Sequence, residues 1–95
     1  MKHHLATKTL TAQDLGSHDI RYFKMVYTVN EEGSGHPREI YGVHVEKYLD
    51  GAMVDQASSG PIAEGDEEIT AIIMQIADGL VTPMVLFEIL DEMVS

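Results

Sequence analysis

His44 and Glu46 stand two residues apart in "YGVHVEKY", the spacing that places both side chains on one face of a strand. An imidazole beside a carboxylate is an acid–base pair or a pair of metal ligands, and Tyr48 continues the same face. Tyrosines and histidines on strands can also cradle a small ligand, so Tyr22, Tyr41, His44 and Tyr48 form one candidate ligand face. A partly covered polar strand face explains the same spacing without any chemistry.

Other combinations carry less. Ser17, His18 and Asp19 are the three residue types of a hydrolytic triad, but triads are assembled from distant parts of a fold. Ser58 and Ser59 have no obvious base in the sequence. His3 and His4 adjoin in the N-terminal segment and offer at most an adventitious metal site. "EGDEE" (Glu64–Glu68) lacks the ligand spacing of a calcium loop and suits the first turn of a helix. "EEGSGHP" has neither the glycine pattern nor the lysine of a phosphate cradle. The chain has no cysteine, so thiolate chemistry and disulfides are excluded. No catalytic, cofactor-binding or metal-ligating residue is assigned.

The closing segment raises a physical question. Glu88, Asp91 and Glu92 fall at i, i+3 and i+4 on one helical face, where mutual repulsion costs a few tenths of a kcal/mol per pair. Asp91 and Glu92 also oppose the helix dipole, at about 0.3–1 kcal/mol each. Each buried Leu or Ile contributes about 1.5–3 kcal/mol, so the helix forms despite its acids. The three carboxylates therefore read as a solvated face or as an electronegative ridge for a basic partner. Lys24, Arg38 or Lys47 on the strands could also answer them.

The charge distribution bears on which partners such a surface could meet. Formal net charge is −10, yet residues 1–47 are neutral, and no Lys or Arg follows Lys47. Such a surface repels nucleic acid and anionic membrane and attracts a basic protein patch or a metal ion. No apolar run approaches the roughly 20 residues of a membrane span, and the N-terminus lacks a signal-peptide core, so the cytoplasm is the expected compartment.

The elements that must hold these residues follow from periodicity. Residues 1–18 show no sustained period; Leu5, Leu10 and Leu15 recur every five residues, which suits neither helix nor strand. They read as a flexible or loosely docked arm, with one helical turn at "TAQDLGSHD". "IRYFKMVYTVN" is a strand with both faces largely apolar, and "REIYGVHVEKYL" is a second. Asp50-Gly51 marks a tight hairpin turn into a weaker third strand, "MVDQASSG". Ile69, Ile72, Ile73, Ile76 and Leu80 make one helical stripe, ended by Gly79 as C-cap. Thr82-Pro83 opens a second helix, with Thr82 as N-cap.

At "YGVHVEKY" and "GLVTPMVLFEILDEM" the chain resembles a family of small uncharacterised proteins, a domain of unknown function, from clostridia-like Gram-positive bacteria. The resemblance runs from Ile20 to Val94 and implies strands followed by helices; it implies no activity. The expected fold is α+β: a three-stranded antiparallel meander with two C-terminal helices packed on one face, in two layers. Residues 19–95 form the single domain. Ile20, Tyr22, Val26 and Ile40, with Met84, Phe87 and Val94, exceed what a thin core covers, which points to a homodimer. The expected function is a non-catalytic protein-interaction or regulatory module, with Glu88, Asp91 and Glu92 meeting a partner with a basic surface. The alternative is a small-ligand or metal binder using the Tyr/His face.

Overall fold

The computed structural model describes residues 1–12, 16–30, 33 and 35–94. Four strands come first: β1 (Lys2–Ala12), β2 (Gly16–Asn30), β3 (Pro37–Leu49) and β4 (Ala52–Ala63). Helix α1 (Asp66–Asp78), a 3-10 turn (Pro83–Val85) and helix α2 (Leu86–Val94) follow. The strands form one antiparallel sheet in the order β1-β2-β3-β4.

The expectation of three strands is thus corrected to four. The segment taken for a loose arm supplies β1, paired with β2 from Lys2↔Met25 to Ala12↔Gly16. Its lack of period has a cause: the register shifts between His4 and Ala6, so Leu5 is an extra residue in a bulge. Alternation read across a bulge changes face midway. Where a helical turn was expected, residues 11 and 12 close β1 and Gly16 opens β2; residues 13–15 lie outside the described residues.

The strand faces follow the period-two reading. Ile20, Tyr22, Val43 and Val45 point into a core completed by Ile69, Ile73 and Ile76 of α1 and Leu86 and Leu90 of α2. Leu5 and Ala6 of β1 pack against its edge. Of the apolar strand residues that seemed to need a second subunit, Ile20 and Tyr22 are fully buried within the chain, and Val26 and Ile40 are half-buried. Tyr22 also donates a buried hydrogen bond to the Val81 carbonyl at 2.8 Å, which ties the link between the helices to the sheet. Ion pairs reinforce the same layer contact, Lys24 with Asp66 at the start of α1 and Lys8 with Asp78 at its end.

Three local details refine the sequence reading. Asp50 and Gly51 both have positive φ (49° and 86°), the signature of the two-residue turn that matches strand twist. Helix α1 ends in a Schellman motif, with Val81 N–H bonded to Ile76 O and Leu80 N–H to Ala77 O. Its left-handed residue is Leu80 (φ 54°), whereas Gly79 keeps φ −84°. Pro83 begins the second helical segment as expected, but the Thr82 hydroxyl makes no capping bond.

The molecule is long. Its radius of gyration is 15.0 Å, against about 12 Å for a compact chain of this length. The 15 residues of β2 extend about 50 Å, while the 13 of α1 rise only about 20 Å. Among the described residues no helix is long and apolar enough to cross a membrane.

Candidate functional site

The helix-free face of the sheet carries a closed polar network centred on Glu46. Pairing sets it up: Phe23 lies opposite His44, Arg21 opposite Glu46, and His4 opposite Phe23. Glu46 is 3% exposed and His44 8%. Lys2 Nζ donates to Glu46 Oε2 at 2.7 Å, His44 Nε2 to the same oxygen at 2.9 Å, and Tyr48 OH to Oε1 at 2.8 Å. Burial alone would push the Glu46 carboxyl up. The bonds from Lys2, Tyr48 and His44, with the lysine's charge, outweigh it and hold the carboxyl at about 2. Tyr48 is pushed up because its proton is held by the Glu46 carboxylate.

An ionised carboxylate only accepts, so His44 Nε2 carries a proton, and in the neutral imidazole Nδ1 is left as an acceptor. That Nδ1 lies 2.5 Å from Ser58 Oγ, where the neutral ring accepts from the hydroxyl. Aromatic contacts pack the surroundings: Phe23 sits between the His4 and His44 rings, at 5.3 and 5.7 Å. Lys2 lies 4.6 Å over the Phe23 ring, and Arg21 4.0 Å over that of Tyr48. His4, Thr7, Arg21 and Phe23 line a shallow hollow of about 400 Å³ on this face.

The four residues expected to form one ligand face are divided between two. His44 and Tyr48 lie on the open face. Tyr22 lies in the core on the helix side, where burial pushes its hydroxyl up to about 12. Tyr41 packs at the margin of that core and donates to Glu39 at 3.1 Å; burial, then that bond, push its hydroxyl up. The absence of a base near Ser58 is also corrected, since the fold brings His44 to it. Among the described residues no three His, Asp or Glu side chains gather as a metal site.

On α2, Leu86 and Leu90 face the core, and Glu88, Asp91 and Glu92 are exposed. Met84 and Phe87, named among the apolar residues that a thin core could not cover, point outward at 84% and 55% exposure. Spacings of three and four residues align Phe87, Glu88 and Asp91 on one exposed side of α2, and Met84 is exposed in the 3-10 turn just before it. Of the sheet cations expected to answer these acids, Lys24 pairs with Asp66 and Arg38 with Glu64.

No curated protein and no solved structure matches the chain. A family match spans residues 1–95, including the N-terminal strand that the sequence resemblance left out. The chain accordingly belongs to the Family of unknown function (DUF6514).

Proposed function

We propose that this chain is a cytoplasmic protein-interaction module that holds a basic, amphipathic segment of a partner protein against the outer strip of α2. The observation that carries the reading is the pairing of two large exposed apolar side chains, Met84 and Phe87, with Glu88 and Asp91. Burying one such side chain contributes about 1.5–3 kcal/mol, and a rim ion pair about 0.2–1 kcal/mol. The apolar pair thus supplies affinity and the acids supply orientation and choice of partner. Charge complementarity argues for the occupant: no Lys or Arg follows Lys47, so a cationic segment is attracted to this surface and an anionic one is repelled.

The test uses a fluorescent Leu/Lys amphipathic peptide and its Leu/Glu counterpart. The Leu/Lys peptide should bind, weaken as salt rises, and lose at least about tenfold in affinity in the Glu88→Lys, Asp91→Lys, Glu92→Lys variant, since tenfold is only 1.4 kcal/mol. Equal binding of both peptides, or none lost on charge reversal, refutes the reading. Sedimentation of the free protein checks the homodimer: self-association abolished by Phe87→Asp would assign the strip to a second copy instead.

A small-ligand reading is favoured by the hollow beside Phe23 on the open face. A thermal-shift panel of metals and metabolites with no response removes it.

A further inference from the structure

We propose that Ser58 is a nucleophile with a built-in general base, able to take a short acyl group from an ester and pass it to water. This activity is independent of partner docking on α2 and uses the opposite face of the sheet. Ser58 of β4 and His44 of β3 are cross-strand partners, with Oγ 2.5 Å from Nδ1. Behind the imidazole, Nε2 donates to the Glu46 carboxylate at 2.9 Å. Nucleophile, base and orienting acid thus stand in one hydrogen-bonded line. Relative to a serine protease, the two imidazole nitrogens exchange places. Exposure grades along the line, from buried Glu46 through nearly buried His44 to exposed Ser58. Ser59 next door has no such base: it accepts from Val43 N–H at 2.9 Å and donates to the Gly60 carbonyl at 2.6 Å.

The reaction balances without a further reagent. Ser58 Oγ bonds to the ester carbonyl carbon while its proton moves to His44 Nδ1. The bond to the leaving alcohol breaks, and that oxygen takes the proton from His44. Water then adds to the acyl-serine; His44 accepts its proton and returns it to Ser58 Oγ as the carboxylic acid departs. Ester and water become acid and alcohol. Glu46 stabilises the imidazolium, and its bonds from Lys2 and Tyr48 fix it in place.

The experiment treats the full chain with a fluorophosphonate probe and maps the labelled peptide. Label is expected on Ser58 and not on Ser59. His44→Asn leaves Ser58 a hydrogen-bonding neighbour but no base, and should slow labelling by about 10² or more, the usual contribution of a general base. Circular dichroism checks that this variant folds. A second arm needs no change at His44: Ser58→Cys and Gln56→Cys place thiols on the same exposed face of β4. Alkylation by iodoacetamide at neutral pH should be at least about tenfold faster at 58, through a base-generated thiolate. Equal alkylation at 56 and 58, or equal labelling of Ser58 and Ser59, overturns the proposal.

Discussion

Replacing Glu46 with Gln removes one negative charge from the polar network and almost no volume. In the folded chain three donors hold the carboxyl at about 2, against an ordinary 4.5. That difference corresponds to about 3 kcal/mol of stability at neutral pH. The sign follows from where protons bind. Between about 2 and 4.5 the unfolded chain holds a proton that the folded chain does not. The contribution is therefore fully present above about pH 5 and is lost as pH falls through the folded value near 2. A Gln side chain has one acceptor oxygen for the donors of Lys2, His44 and Tyr48. The variant should be less stable than wild type by about 3 kcal/mol at pH 7, a large share of the 5–15 kcal/mol typical of a domain. Half-exposed Lys2 can turn to water, which keeps the loss from being larger. Urea unfolding followed by circular dichroism at pH 7, 5, 3 and 2 measures both proteins. Other carboxylates titrate in both, so the difference between them is diagnostic. It should shrink to under about 1 kcal/mol at pH 2. A difference that stays constant with pH would refute the claim that an ionised, three-donor carboxylate stabilises this sheet.

Three further substitutions probe separate features by the same unfolding assay. Tyr22→Phe leaves the buried Val81 carbonyl without its partner and should cost about 1–2 kcal/mol, with no change if that bond is unimportant. Leu80→Gly relieves a left-handed backbone at a side chain that is 40% exposed and should stabilise by about 1 kcal/mol; a loss would show that Leu80 packing outweighs its strain. Gly42→Ala would drive a Cβ into the Gly60 carbonyl oxygen, prising β3 from β4, and should cost about 3 kcal/mol or more.

Where residue pattern and backbone agree, the chain was legible. The alternation in β2 and β3 assigns Ile20, Tyr22, Val43 and Val45 to one face, and the Ile69–Ile73–Ile76 stripe finds its place above them. Asp50-Gly51 sets the hairpin. What escaped the sequence is what bulges decide. From the turn, unbroken pairing would put Ala57 opposite His44. An extra residue in β4, Val54, shifts the register after Tyr48↔Met53 and brings Ser58 there instead. A one-residue shift exchanges the faces of a strand, so the neighbour of His44 was hidden by a local irregularity. The bulge at Leu5 hid β1 for the same reason. Leu80 escaped because a Schellman motif normally takes Gly at its left-handed position, and Gly79 stands one residue too early.

A ribbon longer than its cover cannot be shielded evenly along its length. Backbone amides beside Tyr22, Val43 and Val45 should exchange with solvent deuterium only when the whole molecule opens. Toward Asn30 and Pro37, where Thr28 and Glu39 are solvent-exposed, the ladder can fray by itself. At the other tip, Asp50 N–H is bonded to Ser17 O and its carboxylate to Ser17 N–H, a clasp between the turn after β3 and the start of β2. The protein accordingly has one stiff end and one soft end.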